Sequence, residues 1–517
     1  MMREFNIFGP VNPQRHYHVD RVAVKAALRA KIERGRYLTL NASRQTGKTT
    51  LFREIIAELE AEGGYFGILL NFETLTGFTE ERFYERLGDV LADWHRSYDV
   101  AALEPRPMRD HGDFIDWLQA TARQLNKRSV LIIDEFDSLP VTMAIPILSQ
   151  FRAMYLKRDA PDAQIVHSIL LVGVRTIPSL LGGTQSPFNI ADQFIVPYFT
   201  PEEVADLLIQ HTQATGQLFE ADVIAGIVRE TEGQPFLVNR LAQLLTVDLV
   251  PDRTQPITAT NLDYALIRLV NENNTHFASI RSKANLHRTA VLTALFNPVR
   301  YYDFQDEVTQ DLVMYGVFRV LRDEHGVDYA RLANSIYRKM LIKAFAPSHD
   351  LIRQATNGGV QNRYLVEGTL HFDQLLDQVK AFMEEHGVRL LKSEKSQRPL
   401  EISGQYLLFS YLTAALQSVG GYVVIEAVSS AGEIDLLALY HGQRFIIETK
   451  ICYNNAKYEA DKTQLVNYLR AAGLEKGYLV FFDENLATNP LLSAEGDRFE
   501  LTVDSKTLRV YLIGVTV

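Results

Sequence analysis

The chain is poor in cysteine and has no long apolar run. Its one cysteine, Cys452, cannot form an intramolecular disulfide and excludes a zinc site built from several thiolates. No stretch approaches the roughly 20 apolar residues that a membrane-spanning helix needs. Residues 1–10 lack the basic start and apolar core of a secretory signal. These absences predict a cytoplasmic protein with no membrane partner.

An excess of positive charge is missing as well. The 517 residues carry a formal net charge of −10. Hydrophobic residues make up 47% and charged residues 22%, which is typical of a globular protein, here long enough for three or four domains. The overall charge does not indicate nucleic-acid binding, so local clusters matter more. The basic clusters near the C-terminal region are Lys392, Lys395 and Arg398, and Lys457, Lys462 and Arg470. They predict phosphate contacts, and a solvated helix face is an equally good interpretation of each.

A phosphate-binding loop is predicted near the N-terminus. A short apolar strand at residues 36–40 leads into Ala-Ser-Arg-Gln-Thr-Gly-Lys-Thr at residues 42–49, and a helix with an apolar face follows. In this context, backbone N–H groups and the helix N-terminus hold phosphates. Lys48 is predicted to reach the β- and γ-phosphates, and the Thr49 hydroxyl to coordinate Mg²⁺. Ala42 replaces the usual first glycine, which is tolerated where the backbone stays in a region open to all residues. The predicted nucleotide-binding residues of this loop are Gly47, Lys48, Thr49 and Thr50.

The second half of a nucleotide site follows a buried-strand pattern at residues 129–133, which ends in Asp134 and Glu135. Downstream of a phosphate loop, Asp134 is predicted to hold Mg²⁺, directly or through water, and Glu135 to polarise the attacking water. An acidic pair outside that context would instead indicate a helix N-cap. ATP and Mg²⁺ are therefore the expected cofactors.

This region resembles the AAA-like and STAND-type P-loop ATPases, on the motif Arg-Gln-x-Gly-Lys-Thr at residues 44–49. The resemblance covers about residues 10–345. It implies that Arg175, after the strand at residues 169–174, senses phosphate. It also implies that Pro235, in the motif Gly-Gln-Pro, packs near the nucleotide as in STAND lids. Because AAA-like ATPases often form rings and STAND-type ATPases switch between monomer and oligomer, the resemblance further implies a homo-oligomer.

A β-hairpin that carries charged residues is predicted far downstream. Two apolar runs flank a turn at residues 440–443; Asp435 opens the first run, and Glu448, Thr449 and Lys450 end the second. Because residues two apart on a strand share a face, Glu448 and Lys450 point the same way while Thr449 points away. Asp435 and Glu448 are predicted to hold Mg²⁺ or Mn²⁺ between them, with Lys450 stabilising charge on a phosphate or orienting water. The alternative interpretation is a solvated hairpin edge.

The hairpin resembles the PD-(D/E)XK nuclease superfamily, here with Glu-Thr-Lys in the last position, over roughly residues 396–517. Gln464 and Tyr468 share one face of the next helix, at the spacing found in the exonuclease-like branch of that superfamily. The resemblance implies two further acids, Glu426 on the preceding strand and Glu401 at the start of an apolar helix. The predicted catalytic residues of this site are Asp435, Glu448, Lys450, Gln464, Tyr468, Glu401 and Glu426.

The chain is predicted to comprise five segments. They are a P-loop ATPase core at residues 1–200, a helical lid at 201–255, a winged-helix-like module at 256–346, a helical connector at 347–395 and a nuclease domain at 396–517. The lid starts with a capping box formed by Thr200 and Glu203. In the third segment, helices precede a hairpin and a last helix, which suggests a winged helix. Its predicted DNA contacts are Arg319, Arg322 and Arg331, and packing against a neighbour is an equally good interpretation.

The predicted fold class is α/β multidomain: a P-loop NTPase parallel sheet with a helical lid, a winged-helix module and a C-terminal PD-(D/E)XK restriction-endonuclease-like domain. The expected function is ATP-regulated, metal-dependent DNA cleavage, with defence against phage or mobile DNA as its setting. Three alternatives stay open. One is a nucleotide-driven switch or DNA-binding protein whose nuclease fold does not cut, and another is a nuclease directed at RNA. In the third, ATP is bound but barely hydrolysed. The presence of Asp435, Glu448 and Lys450 together favours cutting.

Overall fold

A computed structural model describes most of the chain. The described residues are 3–41, 45–75, 77–97, 107–158, 166–173, 190–296, 300–303, 306–345, 364–366, 368–391, 400–417, 419–429, 432–451, 455–483 and 496–514. The chain separates into two compact units, Met1–Thr258 with Phe304–Phe318, and Ala259–Asp303 with Arg319–Val517. The finer division into five segments stays a prediction.

The centre of the first unit is a five-stranded parallel sheet. Its strands are β1 (Leu38–Asn41), β2 (Tyr65–Asn71), β3 (Arg128–Asp134), β4 (Ser168–Val172) and β5 (Asp192–Ile195). They lie in the order β2-β3-β4-β1-β5, and every neighbouring pair is parallel. The segment from Val130 to Ile133 is buried because apolar clusters cover both faces of the sheet, which explains its continuously apolar sequence.

Helices cover both faces of this sheet. The helices that precede the second unit are α1 (Val22–Glu33), α2 (Lys48–Ala61), α3 (Glu80–Ser97), α4 (His111–Leu125), α5 (Val141–Leu156), α6 (Pro201–Thr215), α7 (Ala221–Thr231) and α8 (Pro235–Gln243). Short 3-10 turns span Phe72–Leu75 and Phe136–Ser138, and α8 continues into a π-helix at Leu244–Leu249. Side chains of α1 and α2 pack on one face, and those of α3, α4 and α5 on the other. A parallel sheet layered between helices, with a phosphate-loop segment after β1, is the P-loop NTPase fold.

The predicted capping box at the start of α6 is present. The Thr200 hydroxyl accepts a hydrogen bond from the Glu203 backbone N–H at 3.2 Å, and the Glu203 carboxylate accepts one from the Thr200 N–H at 3.0 Å. Two otherwise unpaired backbone donors are thereby satisfied.

The second unit begins with a helical region and a small sheet. The elements in order are α9 (Ala259–Val270), α10 (Thr275–Leu286), α11 (Arg288–Phe296), β6 (Arg300–Tyr301), α12 (Glu307–Met314), β7 (Phe318–Arg322), β8 (Asp328–Leu332) and α13 (Ser335–Phe345). The strand order is β6-β8-β7, and α12 itself clusters with the first unit. Arg322, a predicted DNA contact, forms two hydrogen bonds of 2.7 and 3.0 Å with Asp328. The winged-helix identity of this region stays a prediction.

A six-stranded mixed sheet dominates the rest of the second unit. The elements are β9 (Leu365–Val366), β10 (Thr369–Leu370), α14 (Phe372–Leu391), α15 (Leu400–Gln417), β11 (Tyr422–Ser429), β12 (Gly432–Tyr440), β13 (Gln443–Ile451), α16 (Asn455–Ala472), β14 (Lys476–Asp483), β15 (Arg498–Val503) and β16 (Lys506–Gly514). The strand order is β11-β12-β13-β14-β16-β15. Strands β13, β14 and β16 pair in parallel, and the remaining pairs are antiparallel.

The two faces of this sheet are covered by different helices. Leu465 and Leu469 of α16 pack with Ile446 and Phe481 on one face. On the other face, the Phe372 ring of α14 stacks on the Phe445 ring with centroids 4.3 Å apart. Because side chains alternate along β13, Glu448 and Lys450 share the face of Ile446, which lies under α16. Within the described ranges, no helix combines the length and apolarity needed to cross a bilayer.

Candidate functional sites

The phosphate loop ends in a left-handed turn at the start of α2. Gly47 caps this helix with φ +81°, a left-handed conformation that favours glycine. The 14-residue helix that follows directs the backbone N–H groups of its first turn and its positive dipole end at the loop. Lys48 is 9% exposed at this point. The arrangement suits a phosphate group.

Two oxygen ligands suited to Mg²⁺ meet beside this loop. The Thr49 hydroxyl donates to Oδ2 of Asp134 at 3.4 Å, and Oδ1 of Asp134 accepts from the Glu135 N–H at 3.0 Å. Asp134 is buried at the carboxyl end of β3, and Glu135 has φ +53°, which turns the chain directly after the strand. A hydroxyl and a carboxylate in contact fit the oxygen coordination that Mg²⁺ prefers.

A side chain of the predicted lid motif contacts the backbone of the phosphate loop. The Gln234 side-chain amide donates to the Gln45 carbonyl at 3.4 Å, and its oxygen accepts from the Leu237 N–H at 2.7 Å. Gly233 has φ +76°, and a Cβ there would lie 1.9 Å from the Phe199 carbonyl oxygen. The start of α8 at Pro235 therefore sits against the phosphate loop.

A cleft joins the N-terminal segment, the loop and α8. Residues that line it include Asn6, Gly9, Gly47, Thr50, Pro235 and Phe236. The Thr50 hydroxyl accepts a hydrogen bond from the Val11 N–H at 3.0 Å, so it contacts the N-terminal wall of the cleft. Arg175, the predicted phosphate sensor, lies outside the described residues.

Sequence reasoning missed Arg21. Its buried guanidinium donates to the carbonyls of Thr46, Pro197 and Tyr198 and lies 5.5 Å from the Phe199 ring centroid. Burial lowers the pKa of Arg21, and the negative charges of two nearby glutamates oppose this shift. Arg21 thus joins the phosphate loop to the segment that precedes α6. An arginine just before a helix carries no periodic or motif signal that would have predicted this.

In the second unit, Asp435, Glu448 and Lys450 meet at one end of the hairpin. The Lys450 ammonium donates to Oδ2 of Asp435 at 3.3 Å and to Oε2 of Glu448 at 3.1 Å. The Asp435 backbone N–H donates to Oε1 of Glu448 at 3.2 Å. The Glu448 side chain is 0% exposed, so two carboxylates and one ammonium share a largely dry site.

Thr449 corrects one expectation. Strand alternation predicts that it points away, but its N–H and its hydroxyl both donate to Oδ2 of Asp435, at 2.8 and 2.9 Å. The paired register of β12 and β13 ends at Leu436 and Ile447, so the strands part beyond that point. Asp435 can therefore bend toward Thr449, and the two hydrogen bonds from Thr449 hold the Asp435 carboxylate in place.

Burial governs the ionisation of this cluster. Burial, aided by repulsion from Asp435, raises the pKa of Glu448 to about 7, while Lys450 opposes the shift. Burial lowers the pKa of Lys450, but attraction to Asp435 and Glu448 outweighs it and raises this pKa above its usual range. When Glu448 is ionised, the cluster carries one more negative than positive charge, and this excess suits a divalent cation.

Helix α16 presents three polar residues to the cluster. The Gln464 side-chain amide donates to the Tyr468 hydroxyl at 2.8 Å. Burial raises the pKa of Tyr468, and the charges of Glu448, Asp435 and Lys450 also act on it. Asp461, which was not predicted, lies one turn earlier on the same face and is 6% exposed. Its spacing to Gln464 and Tyr468 was the available signal.

For the other two predicted acids, the structure describes the backbone position only. Glu401 lies in α15 and Glu426 in β11, and their side chains lie outside the described residues. On β11 and β12, Ile425 pairs with Leu436 and Ala427 pairs with Ile434. The backbone of Glu426 therefore lies opposite Asp435. Among the described side chains, no three from histidine, cysteine, aspartate and glutamate form a metal-binding group. Asp435 and Glu448 are therefore the two candidate ligands that the described part of this site supplies.

Comparisons with known proteins give one family match and several similar solved structures. Residues 370–485 match a domain of unknown function, DUF8371. A comparison with curated proteins gives no match. Among solved structures, the Walker-type ATPase PABY2304 of Pyrococcus abyssi is 15% identical, covering 65% of this chain and 99% of its own, with TM-score 0.47. The ORC1 protein of Aeropyrum pernix in complex with DNA is 14% identical, covering 63% and 93%, with TM-score 0.34. A RuvB variant of Thermotoga maritima is 18% identical, covering 62% and 94%, also with TM-score 0.34. The P-loop NTPase fold of the first unit therefore rests on its own sheet and phosphate loop.

Proposed function

We propose that this chain combines an ATPase with a metal-dependent nuclease that cuts DNA. The observation that carries the proposal is the grouping of Asp435, Glu448 and Lys450 within hydrogen-bond distance, under a helix face with Gln464 and Tyr468. Two carboxylates and a lysine can serve metal-dependent phosphodiester hydrolysis: they supply ligands for a cation and a positive charge for the phosphate. Their burial argues against a solvated hairpin edge.

In the first unit, the proposed ligand is ATP with Mg²⁺. The N–H groups at the start of α2 and the Lys48 ammonium bind the phosphates, and Thr49 and Asp134 supply oxygen ligands to the cation. Glu135 follows Asp134 at the carboxyl end of β3 and polarises the attacking water. The contact of Gln234 with the loop backbone gives the lid a direct way to sense an occupied loop.

In the second unit, Asp435 and Glu448 would hold Mg²⁺ or Mn²⁺, and a bound cation would polarise the phosphate and acidify a water molecule. Thr449 keeps the Asp435 carboxylate in place. Lys450 stabilises the negative charge that builds on the phosphate as water attacks and the sugar oxygen leaves. The burial of Glu448 keeps bulk water from weakening these interactions.

The finer parts of the proposal concern the substrate and the setting. DNA is preferred over RNA because of the resemblance to PD-(D/E)XK nucleases. Self-association follows in the same way from the resemblance to AAA-like and STAND-type ATPases. A nuclease joined to such an ATPase fits conditional cutting, and defence against phage or mobile DNA in the cytoplasm is the setting we propose.

The test measures both activities on the same preparations of the full chain. Wild type, Glu135→Gln, Lys450→Ala and the control Lys506→Ala, which alters a surface ion pair with Glu475, are given ATP, Mg²⁺ and labelled DNA or RNA. We expect Lys450→Ala to lose cleavage by roughly 100-fold or more while it keeps ATP turnover. Glu135→Gln should lose turnover, and the control should keep both.

Other outcomes would contradict specific parts of the proposal. Cleavage of RNA but not DNA would show that the substrate is RNA and contradict the proposal of DNA as substrate. ATP turnover without cleavage of either polymer by wild type would support a nucleotide-driven switch that grips nucleic acid without cutting.

A further inference from the structure

Asp461 has an unexplained buried carboxylate oxygen. The residue is 6% exposed, and its Oδ2 contacts no hydrogen-bond partner within the described part of the chain. Buried polar atoms nearly always have a partner, because an unpaired buried charge is costly. An acid kept in this state indicates a partner that arrives under other conditions.

The position of Asp461 identifies that partner. Asp461 lies on the face of α16 that carries Gln464 and Tyr468, above the strand that carries Lys450. Among neighbouring charges, the positive charge of Lys450 acts on it most strongly, followed by that of Lys457, and the negative charge of Asp435 repels it. A cation would therefore be drawn to it from the hairpin side.

Lys450 is at present held by two other acids. Its ammonium bridges Asp435 and Glu448, the two carboxylates proposed to bind a divalent cation. The ammonium and a divalent cation cannot both occupy that position, because like charges at such distances repel strongly in a buried site. Cation binding must therefore displace Lys450, and a displaced ammonium in this dry site needs a new acceptor.

We propose that Asp461 is this acceptor: it holds Lys450 beside the centre when Asp435 and Glu448 bind a divalent cation. This inference rests on the proposed nuclease function. Asp461 then acts as a positioning residue, because it works through Lys450 and keeps the ammonium where it can face the scissile phosphate. Asp461 also favours cation binding, since it lowers the cost of moving Lys450 away.

The test is a double-mutant cycle on Mn²⁺ binding to the full chain, measured by electron paramagnetic resonance without substrate. The proteins are wild type, Asp461→Asn, Lys450→Met, the double variant, and the control Glu459→Gln on an exposed position of the same helix. In Asp461→Asn, Lys450 has no alternative acceptor and competes with Mn²⁺, so affinity should fall roughly tenfold. In the Lys450→Met background, Asp461→Asn should change nothing. Asp461→Glu should restore most of the affinity, and the control should match wild type.

Three outcomes would overturn the inference. Unchanged Mn²⁺ affinity in Asp461→Asn would show that the acid has no role at the centre. Equal losses in both backgrounds would show that Asp461 acts on the cation and not through Lys450. If wild type binds no Mn²⁺, the proposed centre fails and the inference fails with it. The first two outcomes leave the proposed nuclease standing, so the two failures are distinguishable.

Discussion

At the scale of single residues, Glu448 decides how the second site behaves. It follows an apolar strand segment and is fully buried next to Asp435. Burial and the nearby negative charge of Asp435 disfavour its ionised form and raise its pKa to about 7. A glutamate that is only half ionised near neutral pH couples cation binding to proton release.

We therefore expect Mn²⁺ affinity to depend on pH with a defined sign. Glu448 must lose its proton to bind a cation, and its raised pKa means that it keeps this proton up to about 7. Below pH 7 affinity should fall by about tenfold per pH unit, and above pH 7 it should level off. Calorimetric titration in buffers of different ionisation enthalpy would measure the proton released. A constant affinity from pH 5.5 to 8.5 would contradict this.

The sequence identifies some of the residues in the second site and misses others. Spacing on one hairpin was sufficient to group Asp435, Glu448 and Lys450. It failed for Thr449, because alternation assumes that strand pairing continues, and here the strands part. Asp461 was missed although its spacing to Gln464 and Tyr468 places it on the same helix face, because an acid on a charged helix is typical of a solvated surface and its burial shows only in the packing.

At the scale of elements, Gly233 allows the connection between α7 and α8 to approach the segment that precedes α6. The Phe199 N–H donates to the Gly233 carbonyl at 2.9 Å, and the Phe199 carbonyl oxygen lies 1.9 Å from where a Cβ of residue 233 would be placed. This close backbone contact holds the end of α7 and the start of α8 against that segment. The motif was predicted by resemblance, but its contact partner was not, because that partner is distant in sequence.

Gly233→Ala should therefore disturb the connection between α7 and α8 more than a comparable glycine substitution nearby disturbs its own turn. The matched control is Gly216→Ala, which has φ +80° but no atom within 4 Å of the added Cβ. The control should cost about 1–2 kcal/mol of unfolding free energy, from left-handed strain alone. Gly233→Ala adds a clash at 1.9 Å, so we expect a larger loss of stability and weaker ATP binding. Equal thermal unfolding and equal ATP affinity of the two variants would contradict this.

Other elements differ in how readily the sequence predicts them. The hairpin β12–β13 was predictable because two apolar runs flank a short turn, and the structure has a turn at His441 and Gly442. The parallel neighbours β14 and β16 were not, because parallel pairing joins segments distant in sequence and leaves no local signal.

At the scale of the whole molecule, each unit carries one candidate site made from its own residues. The loop, Asp134 and lid contacts lie in the first unit, and the Asp435–Glu448–Lys450 cluster lies in the second. The net charge of −10 reflects acids throughout the chain and does not predict either site. The function of the complete chain therefore depends on whether an occupied loop changes what the cluster does.

The most direct test compares plasmid cleavage by wild type and Lys48→Ala in Mg²⁺, each with and without ATP, with Lys450→Ala as the inactive reference. We expect wild type to cut DNA and to respond to ATP. We expect Lys48→Ala to keep an intact cluster but to respond to ATP no longer, and Lys450→Ala not to cut. Cutting by wild type that ATP leaves unchanged, or undiminished cutting by Lys450→Ala, would contradict the proposal that an ATP site controls a nuclease in one chain.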